Sequence, residues 1–303
     1  MNLGTSINMF AYRRGEKKPR SFVDQLRDTC RVGFRTLDID FYEAAHHGMM
    51  EDDLNCDDWE ANIEAVGNEA AKLGASFTQS HAPFNQKLFL YGKQPNAEYL
   101  EKFDMLMRRA IVASGRLGVK WVTVHPLTDT VHAEYDVQVD LATNLEFYKP
   151  YLELAKGCGV GLAIENMAKA DHVIRRVYCA SPEELIDLID AFGDPSVGAC
   201  WDFGHAKMML NDQPRQLRAL GKRLKATHVQ DNNGKRDAHL VPFVGGNIRW
   251  EEIMPCLKEI GYEGDFMLEA HHFARQMPEA LWESVGKLAY DLGMYCMEMY
   301  HRA

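Results

Sequence analysis

Nine histidine and carboxylate residues stand where they could act together: His81, His125, Glu165, Asp202, His205, His228, Asp237, His239 and Glu269. Six of them close short apolar or β-branched runs. His81 follows Thr78-Gln79-Ser80, His125 follows Val122-Thr123-Val124, and Glu165 follows Ala163-Ile164. Asp202 follows Cys200-Trp201, His228 follows Ala226-Thr227, and Glu269 follows Met267-Leu268. An isolated carboxylate buried at the end of an apolar strand costs several kcal/mol unless it is paired, protonated or coordinated. Several together call for a cation. Oxygen and imidazole donors without thiolate suit one borderline or hard divalent metal ion, and spacing leaves Mn²⁺, Co²⁺, Zn²⁺ and Mg²⁺ all open. Taken singly, a strand-end histidine is more often a hydrogen-bonded core residue, and Glu165 or Glu269 is as readily a salt-bridge partner at a rim. The joint pattern carries the metal reading.

Such a set suits chemistry at a carbon next to a carbonyl. A metal that binds the carbonyl oxygen and a neighbouring hydroxyl offsets the charge that develops there, and a base must then stand beside it. Glu165 and Glu269 belong to different strands and could approach a substrate from two sides. If one removes a proton and the other returns it to the same carbon, the result is epimerisation. Relay to the adjacent carbon gives aldose–ketose isomerisation, and expulsion of hydroxide gives dehydration.

Residues so far apart in sequence converge only if the fold points their strand ends to one face. Eight candidate strands alternate with helical patterns: Leu3–Phe10, Phe34–Phe41, Ser76–His81, Lys120–His125, Val160–Glu165, Ser196–Asp202, Leu224–Val229 and Gly264–Ala270. Alternation of this kind predicts βα units around a parallel sheet, here an α/β fold with a single (β/α)8 TIM barrel spanning residues 1–303. In Asn96–Gly118 a helical face runs through Leu100, Phe103, Met107, Ala110, Ile111 and Leu117. Ser181-Pro182-Glu183-Glu184 reads as a capping box with proline at the first helical position. Gly33, Gly118, Gly159 and Gly261 precede strands, as helix C-caps would.

Composition excludes several classes. Against 34 Lys+Arg stand 44 Asp+Glu, so the chain lacks the basic footprint that a phosphate backbone requires, and no nucleic-acid partner is expected. The 7 cysteines are scattered without a C-x-x-C pair, which reads as reduced core thiols and a cytoplasmic setting. No stretch approaches a membrane span and no targeting signal is apparent, so no membrane partner is expected either. A homo-oligomer is left open.

The chain resembles the xylose isomerase-like TIM-barrel superfamily of sugar isomerases, ketose 3-epimerases, inosose dehydratases and the endonuclease IV group. The resemblance runs over nearly the whole chain. It rests on Ser80-His81-Ala82-Pro83, Val124-His125-Pro126, Ile164-Glu165-Asn166-Met167, Trp201-Asp202-Phe203-Gly204-His205, Thr227-His228-Val229-Gln230-Asp231, Asp237-Ala238-His239 and Leu268-Glu269. It implies that Glu165, Asp202, His228 and Glu269 hold one catalytic metal, with Glu165 and Glu269 also acting as acid and base. The substrate would be a small carbohydrate: a sugar, keto sugar or polyol. His81, His125, His205, Arg236, Asp237 and His239 would contact it, with Lys235 beside Arg236, and Phe84, Trp201 and Phe203 are candidates for apolar walls.

Three alternatives stand beside this reading. The same metal site could serve a dehydratase or lyase on an inosose or 3-keto glycoside. All nine residues match, in chain order, the ligands of the three zinc ions of the endonuclease IV group, which would make a multi-zinc phosphodiesterase. Against that stand the acidic charge and a short interval from His228 to Asp237. A non-catalytic sugar-binding barrel is the third; intact Glu165 and Glu269 oppose it. Where many family members follow His239 with proline, glycine, acid and glycine, this chain has Leu240-Val241-Pro242-Phe243-Val244-Gly245-Gly246-Asn247, which implies a less usual substrate.

Overall fold

The computed structural model describes residues 1–45, 51–85, 96–129, 131, 134–169, 176–209 and 212–303. Its strands are β1 (Leu3–Ser6), β2 (Thr36–Asp40), β3 (Ser76–His81), β4 (Trp121–Val124), β5 (Gly161–Glu165), β6 (Val197–Asp202), β7 (Leu224–His228) and β8 (Phe266–Leu268). Neighbouring strands pair in parallel, in the order β7-β6-β5-β4-β3-β2-β1-β8. The ring closes just beyond β7, where the Val229 N–H donates to Met267 O at 2.8 Å and the Glu269 N–H donates to Val229 O at 2.9 Å. The result is a single (β/α)8 barrel, and the closing bonds lie next to two of the candidate site residues.

The described helices are α1 (Phe22–Arg31), α2 (Trp59–Lys72), α3 (Ala97–Arg116), α4 (Val137–Gly157), α5 (Pro182–Phe192), α6 (Phe203–Met209), α7 (Gln213–Leu220), α8 (Trp250–Glu259), α9 (His271–Arg275) and α10 (Trp282–Arg302). Local signals account for their ends. Asn96 caps α3 by accepting from the Tyr99 N–H at 2.8 Å, and Ser181 caps α5 by accepting from the Glu184 N–H at 3.3 Å. The reciprocal half of the expected capping box is replaced, because Glu184 Oε1 accepts from the Tyr135 hydroxyl at 2.6 Å and from Arg176 at 2.5 Å. Gly118 and Gly159 both have φ of 75°, a conformation that a side chain would strain.

The core face of α3 is Phe103, Leu106, Met107, Ala110 and Ile111; Leu100, placed on that face by spacing, lies in the first turn and is 42% exposed. The first strand is also shorter than its apolar run suggests. Ser6 accepts from the Asn8 N–H at 3.4 Å and starts a 3-10 turn over Ile7–Phe10, which ends β1 early and brings Asn8 to the mouth of the barrel. No helix among the described residues is long and apolar enough to cross a membrane.

Candidate metal centre and active site

The predicted strand ends meet. Glu165, Asp202 and His228 are the last residues of β5, β6 and β7, and Glu269 follows β8. One ligand atom from each of these four buried residues lies within 4.8 Å of the others. His228 Nδ1 is 3.1 Å from Glu165 Oε1 and 3.5 Å from Glu269 Oε2, so that edge of the imidazole faces both glutamates. Asp202 Oδ2 and Glu269 Oε2 are buried without a hydrogen-bond partner. Two orphaned carboxylate oxygens beside an imidazole are the donor set a divalent cation satisfies, and a buried acceptor left bare is otherwise costly.

Asn166 fixes the end of β6. Its Oδ1 accepts from the Asp202 N–H at 2.7 Å, its Nδ2 donates to Asp202 O at 3.0 Å, and its backbone oxygen takes the His205 ring Nδ1 at 2.9 Å. Gln230 organises the loop beyond β7: its Nε2 donates to Asp237 Oδ1, and its Oε1 accepts from the His239 N–H at 3.2 Å. Gly204 leaves room for it, since a Cβ there would lie 2.1 Å from Gln230 Cδ.

The remaining candidates form two flanks. On one, His125 Nε2 lies 2.8 Å from Glu165 Oε2, and His81 Nε2 lies 3.0 Å from His125 Nε2 and 3.6 Å from Glu165 Oε2. His81, His125 and Glu165 are a second cluster whose ligand atoms fall within 4.8 Å. On the other flank, His239 Nε2 is 2.9 Å and His205 Nε2 3.4 Å from Asp237 Oδ2, while His239 Nδ1 reaches Glu269 Oε2 at 3.4 Å. Each glutamate therefore has its own imidazole neighbour. Arg236 is exposed and does not line the cavity.

Burial by itself would raise Glu165 and Glu269, yet both are held well below the usual carboxylate range, chiefly by His228, with His125 acting on Glu165 and His239 on Glu269. Asp202 goes the other way. Burial pushes it up to about 7, against the pull of His205, with Glu165 and Glu269 adding to the rise. Crowded anions in one dry site are the electrostatic signature of a place prepared for positive charge.

A cavity of about 480 Å³ opens above these groups, a size typical of small-molecule sites. Its walls bring in residues that the strand-end reading missed: Asn8, Tyr12, Asp40, Glu43, His271 and Arg275. Asp40 is the last residue of β2, so the alternation Asp38-Ile39-Asp40 was the signal for it. Phe84, Trp201 and Phe203 are fully packed and do not line the cavity: Trp201 donates to Gln213 at 3.2 Å, and Phe203 packs on Trp250 at 5.3 Å. In the unusual loop, Asp231 accepts from the Phe243 and Ile248 N–H groups and from Trp250 Nε1 at 3.0–3.1 Å, so one carboxylate from outside the loop organises it.

A family model described as xylose isomerase-like TIM barrel matches residues 26–289. An uncharacterized protein of Methanocaldococcus jannaschii is 30% identical over 192 residues, 62% of each chain. A D-psicose 3-epimerase of Enterocloster bolteae is 26% identical over 166 residues, 55% of this chain and 51% of that one. The matched stretch thus spans about half to three-fifths of these relatives. Among solved structures, a D-tagatose 3-epimerase-like protein superposes with a TM-score of 0.75 at 21% identity, over 100% of this chain and 99% of that one.

Proposed function

Since the chain belongs to the xylose isomerase-like TIM barrel family, we propose that it is a metal-dependent sugar isomerase or epimerase that moves a proton at a carbon next to a carbonyl. One observation carries the reading: four buried donors converge within 4.8 Å, and two of their oxygens, Asp202 Oδ2 and Glu269 Oε2, lack partners. Glu165, Asp202, His228 and Glu269 would hold one divalent ion, which when bound polarises a substrate carbonyl. The epimerases similar in sequence and fold support a sugar substrate.

The chain's own groups supply the proton transfers. Glu165 and Glu269, both kept as carboxylates by their imidazole neighbours, are each ready to accept a proton from carbon. His125 beside Glu165 and His239 beside Glu269 are placed to exchange that proton onward. His205, anchored through Nδ1 to Asn166 O, turns Nε2 toward Asp237 and the cavity, where it would orient a substrate oxygen. The whole of residues 1–303 is read as one catalytic domain.

A second reading, phosphodiester hydrolysis at several zinc ions, draws on the cluster His81, His125 and Glu165 and on the convergence of His205 and His239 on Asp237. Metal analysis of the purified protein, with a screen of ketoses, inososes and 3-keto glycosides for exchange in deuterated water, separates the two. One metal per chain with exchange supports proton transfer. Two or three metals with cleavage of a simple phosphodiester and no exchange overturns it.

A further inference from the structure

Metal ligands and their flanks occupy β3 to β8, and the sector between Glu269 and His81 belongs to β1 and β2. Asn8, just past β1, and Asp40, at the end of β2 and in register with His81, fill that sector and line the cavity. Asn8 Nδ2 donates to Asp40 Oδ2, and Asp40 Oδ1 accepts from the Tyr42 N–H at 2.7 Å. The first bond fixes which way the amide points. Its oxygen, Asn8 Oδ1, is left buried with no hydrogen-bond partner. Glu165 Oε2 and Glu269 Oε2, in the candidate metal centre, by contrast face imidazole nitrogens at 2.8 Å and 3.4 Å.

We propose that Asn8 and Asp40 are the recognition pair for the substrate's hydroxyls, and that the substrate is an uncharged polyhydroxylated sugar rather than a phosphate ester. This rests on the proton-transfer reading for the position of the reacting carbon, and it adds what holds the rest of the molecule. Asn8 Oδ1 and the Asp40 carboxylate are acceptors, so they match O–H donors and repel a group made only of acceptor oxygens. Among the described residues three cations line the wall: Lys18 is exposed and shares the lining with Glu51, Asp52 and Asp53, and the other two are engaged. Arg20 pairs with Asp28 at 2.6 Å, and Arg275 lies 4.6 Å over the Tyr12 ring.

The test is equilibrium binding of D-fructose and of D-fructose 6-phosphate to the Mn²⁺-loaded full chain, read by calorimetry so that turnover is not required. The free sugar is expected to bind at least about tenfold more tightly than the ester. Asp40→Asn and Asn8→Ala should each weaken the free sugar about 10- to 100-fold, the loss of a hydrogen bond to a charged or buried partner, with Mn²⁺ affinity unchanged. Circular dichroism confirms folding, and either variant suffices if the other does not fold. Tighter binding of the ester, wild-type sugar affinity in a folded variant, or no sugar binding at all overturns the proposal. Sugar binding without deuterium exchange counts against the proton-transfer reading alone.

Discussion

Replacing either glutamate by glutamine separates catalysis from binding. Glu165→Gln keeps an amide oxygen near His228 Nδ1, which lies 3.1 Å from Oε1 in the wild type, so the side chain remains a weak ligand. It can no longer carry the proton. General acid–base transfer is worth about 10²–10⁴-fold, or about 2.7–5.4 kcal/mol at 1.36 kcal/mol per tenfold. That loss is expected in kcat, with KM changing by no more than about threefold. The two positions should differ in a second respect. Glu165 is shared by His125 at 2.8 Å, His205 at 3.4 Å and His81 at 3.6 Å, and all three lose their common anion. Glu269 leaves fewer groups exposed, since His239 keeps Asp237 at 2.9 Å. Glu165→Gln should therefore weaken metal binding more than Glu269→Gln. The assay is single-turnover proton exchange at saturating Mn²⁺, with occupancy verified on each variant. Near-wild-type turnover in both metal-loaded variants would refute the reasoning and move the base to His239 or Asp237.

Asn166→Ala removes the partner of both the Asp202 N–H and its carbonyl, so urea unfolding should show a loss of about 2 kcal/mol or more together with weaker metal binding; unchanged stability would free β6 from this anchor. Glu43 is pushed from 4.5 to about 7, first by burial and then by the charge of Asp40, so the folded state holds a proton that the unfolded state has lost between those values. Stability from this group accordingly falls as pH rises through that window, and Glu43→Gln should raise Tm relative to wild type at pH 8 but not at pH 4. His81 and His125 are expected to line the wall without binding the principal ion, so their alanine variants should retain one metal per chain by elemental analysis. Loss of a second or third zinc ion on those substitutions would instead favour the hydrolytic reading.

The positions of the site residues were legible because β-strand ends are where apolar runs give way to charge, and a parallel barrel collects those ends at one mouth. Orientation was legible too, though it went unused at one place. Asp202 faces inward, so its strand neighbour Trp201 must face out toward the helices, where it donates to Gln213, while Phe203 opens α6 and packs against Trp250. The period of two rules Trp201 out as a cavity wall. The same parity marks Asp40 through Asp38, two residues before it on β2. Less legible was which loop cation turns inward. Arg236 and Arg275 both follow strands, but Arg236 is exposed whereas Arg275 sits at the end of α9 and stacks over Tyr12. Nothing local in the sequence distinguishes them, since the choice depends on where α9 packs.

Parity also explains why the metal reading and the barrel core are one problem. Two residues before Glu165, Asp202 and His228 stand Ala163, Cys200 and Ala226, which form a buried cluster of their own against Trp121. Two residues before Asp40, His81 and His125 stand Asp38, Gln79 and Thr123, all buried and polar. The layer beneath the mouth is thus small and apolar under Glu165, Asp202 and His228, apolar with Met267 under Glu269, and polar under the opposite wall. From below, Cys200 hydrogen-bonds His228, while the carboxylates of Glu165 and Glu269 face the cavity, where a cation could satisfy them. On the polar side, Gln79 Nε2 reaches Thr227 O at 3.3 Å across the barrel, and Asp38 acts on His228 from beneath. That side can hold a wall of histidines and acceptors without a metal of its own, which is why His81 and His125 are read as cavity walls although they could also be ligands.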